Sequence, residues 1–250
     1  MQLTSWQWAL LSAGAFVTGL SKTGVAGLGV LAVALFANAL PARESTGALL
    51  PLLLCADVFG VAFFRKHASW PHLWKLFPWV VVGVVAGYLT LGRLSNLVVQ
   101  RMIGGILLAM IVLHLWRQRR AGEGAISGPD QMPHTRWFGA MTGVLAGFTT
   151  MVANAAGPVM ILYLLALGLP KLVFIGTGAW FYMCVNAFKV PFSVNLGLIT
   201  QTSLGMDALL LIPMVPGALL GPLIVEHINQ RNFERMALVL TALAAARLLV

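Results

Sequence analysis

The sequence predicts an all-α, polytopic membrane fold made of two related halves, and three observations carry that expectation. Hydrophobic residues form 59% of the 250-residue chain and charged residues 9%. A soluble domain carries about 25% charged residues, so this chain lacks the polar side chains to cover a water-facing surface; its mean hydropathy is +0.89. The apolar runs are continuous and helix-length, unlike the alternating strands of roughly ten residues that build outer-membrane barrels. Finally, the chain repeats itself. Leu40-Pro41, Gly47, Cys55, Asp57 and Phe59 return 129 positions later as Leu169-Pro170, Gly176, Cys184, Asn186 and Phe188. Gly83, Gly87, Arg101 and Met102 return at an offset of 134 as Gly217, Gly221, Arg235 and Met236.

The runs span residues 6–37, 44–64, 73–91, 97–116, 137–167, 172–192, 204–225 and 233–250. The opening MQLTSWQWALL has neither a basic leader nor a small-residue cleavage site, so it reads as entry into the first membrane element. Run 6–37 would extend about 47 Å as one straight helix at 1.5 Å per residue. It is interrupted by TGLSKTGVAGLG (18–29), and run 137–167 is interrupted by GFTTMVANAAGP (147–158). Gly and Pro at that density loosen a helix. Each long run is therefore expected to be a helix pair meeting at a break near mid-membrane. The other six runs are near the roughly 20 residues that cross a bilayer. Runs 73–91 and 204–225 carry Gly83, Gly87, Gly217 and Gly221, small residues that let helices approach closely within a subunit or across a homodimer. Residues 117–136 (RQRRAGEGAISGPDQMPHTR) read as a cytoplasmic linker between an N-terminal repeat, 1–116, and a C-terminal repeat, 137–250.

Basic residues favour inverted halves. If each long run returns to the side it entered from, one side collects Arg65, Lys66, Lys75, Arg117, Arg119, Arg120, Arg136, Lys171, Arg231 and Arg235. The other side collects Arg43, Arg93, Arg101 and Arg247, a split of ten against four. If every run crosses once, the split falls to eight against six. The inverted path obeys the positive-inside rule better. The net charge of +9 follows from these loops and calls for no nucleic-acid partner.

Charges inside apolar runs cost about 2.5–3.5 kcal/mol or more and mark functional candidates. Three stand out: Lys22 in the first break, Asp57 and Lys189. Ser21 and Thr23 flank Lys22, and Thr149, Thr150 and Asn154 occupy the second break. Opposed breaks expose helix N-termini, which attract anions. With an ammonium and several hydroxyls added, the expected site is an anion cradle, and duplicated bundles rocking about such a site are a transporter plan. Other readings stand beside this one. Lys22 and Asp57 pair simply to neutralise each other, Lys189 before Pro191 marks a helix end, and Thr149 and Thr150 bond back to the preceding turn. Asn186 lies on one helix face with Lys189, so the two, with Asp57, are candidates for coupling or gating.

Cys55 and Cys184 lack metal spacing and read as packing residues. His67, His72, His114, His134 and His227 fall at segment ends or in loops. HExxH, GxSxG, paired-carboxylate and P-loop patterns are all absent, so neither an enzyme nor a cofactor is expected. Most tryptophans lie near segment ends, as an aromatic belt requires, with Trp180 the exception.

The strings GLSKTGVAGLG (19–29), PARESTGALLPLLLCADVF (41–59), ANAAGPVMILYLLALGL (153–169) and GTGAWFYMCVNAFKVPF (176–192) resemble the TauE/SafE sulfite exporter family, also called toluene sulfonate uptake permeases. The likeness runs over almost the whole chain except the linker. This chain carries a Lys in the first break and ANAAGP in the second, where other members have a glycine triplet. The resemblance implies a multi-pass transporter of a bacterial inner membrane, moving sulfite, sulfonates or other organosulfur acids. The residues themselves favour an anion and leave carboxylate cargo, and a channel in place of a carrier, as alternatives.

Overall fold

The computed structural model describes residues 3–91, 112 and 136–249, which form nine α-helices and no strand. The first long run becomes α1 (Ser5–Thr23) and α2 (Gly29–Ala39). Thr4 starts α1 in a reciprocal capping box with Gln7. The chain turns at residues 24–28, where Gly27 has φ 100°, a conformation that favours a residue without Cβ. α2 then runs back along α1. Gln7 Nε2 donates to the Ala39 carbonyl at 2.9 Å, which brings the start of α1 and the end of α2 together. The run is a helical hairpin.

The second long run does the same as α5 (Arg136–Ala153) and α6 (Ala156–Ala166). Its bend turns on Asn154 at φ 52°, and Phe138 near the start of α5 packs on Tyr163 of α6 with ring centroids 5.9 Å apart. Asn tolerates the left-handed region better than other residues with a Cβ.

α3 (Ala42–Phe64), α4 (Trp70–Thr90), α7 (Lys171–Asn195) and α8 (Gln201–His227) are long and apolar enough to cross a membrane. A 3-10 turn, Arg65–His67, joins α3 to α4, and α9 (Gln230–Leu249) ends the described chain. α3 and α7 both start behind a proline, Pro41 and Pro170, at positions equated by the 129-residue offset. α7 continues through Pro191 to Asn195, so Lys189 lies inside the helix and not at its end. Run 97–116, save for Val112, and linker residues 117–135 lie outside the described residues, as do Arg93, Arg101, His114, Trp116 and His134.

Two apolar cores form, and neither coincides with one half of the sequence. One joins α1, α2 and α3 to Leu210, Met214 and Ala218 of α8. The other joins α5, α6 and α7 to Leu73, Leu76, Val80 and Val84 of α4. Each hairpin therefore rests on the third-element helix of the opposite half. Glycines make these contacts close. A Cβ on Gly83 would stand 2.1 Å from the Val144 carbonyl oxygen, and one on Gly217 would stand 2.1 Å from that of Phe16. These two glycines are related by the 134-residue offset and do the same work in the two cores. Leu89, Leu209, Ile212 and Leu219 point outward, as a lipid-facing surface requires. Trp6, Trp74 and Trp137 are exposed near element ends, whereas Trp180 packs half-buried on Trp70 with ring centroids 5.1 Å apart.

Candidate functional site

The polar residues of the apolar runs gather where α3 meets α7. Lys22, in the last turn of α1, sends Nζ to Asp57 Oδ1 at 2.8 Å; the two side chains are 9% and 0% exposed. Gly60 lets α3 approach the bend, since a Cβ there would stand 2.8 Å from the Lys22 carbonyl oxygen. Asp57 Oδ2 accepts from Asn186 Nδ2 at 2.7 Å. Asp57 and Asn186 are 129 positions apart, the offset at which the sequence repeats, so two positions matched by that offset touch each other. The Tyr182 ring lies under the Lys22 ammonium, 4.0 Å from Nζ to centroid, and adds a cation–π contact.

A second ammonium serves the other bend. Lys189, 1% exposed, donates to Thr150 Oγ1 at 3.1 Å and to Asn154 Oδ1 at 2.6 Å. Asn154 Nδ2 in turn donates to the Thr46 carbonyl at 2.9 Å. Asn154 is thus fixed three ways: by its left-handed backbone, by a donor and by an acceptor. Lys189 thus stands directly against that bend, while Lys22 shares a cavity wall with Thr150 and Asn154. Asp57 and Asn154 meet the same face of α7 one turn apart, at Asn186 and Lys189.

Both bends open into one cavity holding about 820 Å³ of empty space, its mouth included. Ser21, Lys22, Thr150, Asn154 and Asn186 line it, together with Tyr182. Gly29 and Gly157 bring the starts of α2 and α6 to its wall, and neither helix has a side-chain N-cap hydrogen bond. Uncapped N-termini present backbone donors and a positive dipole end to the cavity. Asp57 and Lys189 stand behind this lining and hold it in place. Two expected residues are turned elsewhere. Thr23 Oγ1 bonds back to Gly19 at 3.1 Å and packs on Gly221, and Thr149 Oγ1 bonds back to Ala146 at 3.3 Å.

Tyr182 was not singled out from the sequence as a site residue, nor was Asp207, a buried carboxylate in α8. The signal for Asp207 was present: an acid within the apolar run 204–225. Cys55 and Cys184 are free thiols, and no group of three or more metal-ligating side chains gathers among the described residues.

A family model described as sulfite exporter TauE/SafE matches residues 11–248. No curated protein and no solved structure matches the chain. That match spans both hairpins and every helix around the cavity, so the chain belongs to the sulfite exporter TauE/SafE family and is a multi-pass membrane transporter for a small anion.

Proposed function

We propose that the chain is a secondary carrier built from two inverted repeats, acts in a bacterial inner membrane, and moves sulfite, sulfonates or related organosulfur acids without enzymatic chemistry. The observation that carries this reading is the charge balance of the polar seam. Two amino groups, Lys22 and Lys189, stand against one carboxylate, Asp57. Full ionisation leaves one positive charge uncompensated in a low-dielectric setting, where an unpaired charge is costly. An oxyanion in the cavity supplies the missing negative charge. Ser21, Lys22, Thr150, Asn154 and the starts of α2 and α6 hold it, while Asp57, Asn186 and Lys189 gate the seam between the halves.

Inversion is supported by the first helical hairpin, by the Asp57–Asn186 contact and by the exchange of α4 and α8 between cores. Alternating access then follows from rocking one hairpin-bearing bundle against the other.

Uptake of labelled sulfite, sulfoacetate, taurine and a dicarboxylate into proteoliposomes tests the proposal. A carrier gives saturable uptake of at least one anion with counterflow, and Lys22→Ala and Lys189→Ala each lower it. Single-channel currents without counterflow would identify a channel instead. Unchanged uptake of every accepted anion in both lysine variants would remove the cradle.

A further inference from the structure

Asp207 is a buried acid that the anion site does not use. It lies in the second turn of α8, 4% exposed, and neither carboxylate oxygen has a hydrogen-bond partner. Its face of α8 turns toward the apolar core of α1, α2 and α3, with Leu210 and Met214 following it. The titratable and charged side chains described on the elements packed there are few. α1 offers Lys22, which is bound to Asp57, and α3 offers Glu44, which is exposed, Cys55 and Asp57. Of these, the Cys55 thiol is the group close enough to feel Asp207, and it does not hydrogen-bond to it. An ionised carboxylate in such a place would cost several kcal/mol with nothing to offset it.

We propose that Asp207 is a proton-binding site that couples transport to a proton gradient; this rests on the carrier reading above. A multi-carboxylate metal site is not built here, because hard cations take several oxygen ligands and no group of three or more metal-ligating side chains gathers among the described residues. A proton needs only the carboxylate. Exchange with water has a short route. Ser203 and Met206, just ahead of Asp207 on α8, line a second cavity of about 1500 Å³ of empty space, mouth included, walled also by Glu44 and Thr200. Pro213 and Pro216 remove backbone bonds from the middle of α8, so the Asp207 end can swing toward that cavity.

The same helix grips the Lys22 bend without slack. A Cβ on Gly221 would stand 2.0 Å from Thr23 Oγ1, and one on Gly24 would stand 2.4 Å from the Gly221 carbonyl oxygen. Asp207 therefore lies on the helix that grips the Lys22 bend, about 21 Å along α8 from Gly221 at 1.5 Å per residue. When the halves rock, the acid reaches the second cavity, releases its proton to water and becomes a carboxylate. Reprotonation from water on the opposite side of the membrane, in the other state of the rocking motion, lets α8 close again, so one proton crosses in each cycle.

The test uses wild-type protein, Asp207→Asn and Asp207→Glu in proteoliposomes. Infrared difference spectra at neutral pH are expected to show a protonated-carboxyl band in wild type that Asp207→Asn lacks. Reversing the polarity of an imposed pH gradient is expected to change wild-type uptake of labelled sulfite or sulfoacetate by about fivefold or more, the range of coupling energies between linked sites. Asp207→Asn keeps counterflow but loses that polarity dependence, and Asp207→Glu restores it. An identical carboxyl spectrum in wild type and Asp207→Asn overturns the proposal, and so does undiminished polarity dependence in Asp207→Asn. If Asp207→Asn does not fold, absence of the band in wild type still overturns it. A band confined to Asp207 in a protein that transports none of the probe anions upholds the proton site and defeats the carrier reading instead.

Discussion

Replacing Lys22 by Met strands the Asp57 carboxylate, because the Asp57 side chain is fully buried and, among the described residues, its other hydrogen-bond partner is Asn186. Removing one member of a buried ion pair costs about 3–5 kcal/mol. For a chain of this size that corresponds to a loss on the order of 10 °C in Tm. Asp57→Asn is expected to cost less. It leaves an ammonium that borders the cavity and keeps the Tyr182 ring 4.0 Å away, so water and the ring replace part of what is lost. The double variant Lys22→Met/Asp57→Asn buries no charge at this position. It is expected to recover about 2 kcal/mol or more relative to the sum of the single effects, as residues in direct contact do.

Thermal unfolding in detergent, read for wild type and the three variants, measures that coupling. Strict additivity would refute the account of the pair. Transport separates the two readings that the sequence left open. If Lys22 holds the anion, the double variant regains stability and stays inactive. If it regains both, the pair serves only to neutralise Asp57.

The remaining predictions address the second bend and the helix contacts. Asn154→Ala and Asn154→Gly both lose the bonds to Lys189 and Thr46, but Ala also carries the left-handed backbone penalty of about 1–2 kcal/mol. The Gly variant is therefore expected to melt higher than the Ala variant while both transport poorly; equal Tm values would remove the backbone argument. Gly83→Ala and Gly217→Ala each place a Cβ 2.1 Å from a backbone oxygen and are expected to cost about 1–3 kcal/mol by overpacking. Gly205→Ala meets nothing within 4 Å and is expected to be neutral or stabilising in the same melting assay. Lys189→Met removes the cation against Thr150 and Asn154, and is expected to weaken anion-induced thermal stabilisation at least as much as Lys22→Met.

The membrane class and both bends were legible in the sequence because they rest on local signals: apolar length, and Gly or Pro where a helix must fail. The buried polar residues were legible for a related reason, since a charge in an apolar run stands out whatever surrounds it. Which charge meets which bend was not legible. Spacing placed Asn186 and Lys189 on one face, but only the packing of α7 shows that this face points one residue at Asp57 and the other at Asn154. Thr23 was unreadable for the same reason: it follows a residue that lines the cavity, and one step along a helix turns a side chain by about a quarter of a circle. Thr149 bonds back to the preceding turn, which was one of the readings the sequence offered. Pro191 misled in the other direction, because an interior proline bends a membrane helix without ending it.

The exchange of third-element helices gives these placements a common cause. Had each half packed only on itself, the bend of α1 and α2 would meet α4, and the two bends would move as parts of separate bundles. Instead α1 is locked to α8 and α5 to α4 through backbone-close glycine contacts at Gly217 and Gly83, which are 134 positions apart in the sequence. A displacement of either bend must then carry a helix that belongs, in sequence, to the other half. The α3–α7 seam, where Asp57 meets Asn186, is the place where these two composite bundles touch through polar groups. The Asp57–Asn186 and Thr46–Asn154 hydrogen bonds cross it, while Phe64 of α3 and Val225 of α8 join the apolar core of α5, α6 and α7. On the proposed reading, an anion in the cavity would bridge Lys22 of one bundle and Thr150 and Asn154 of the other, so its binding free energy would act directly on the relative position of the two.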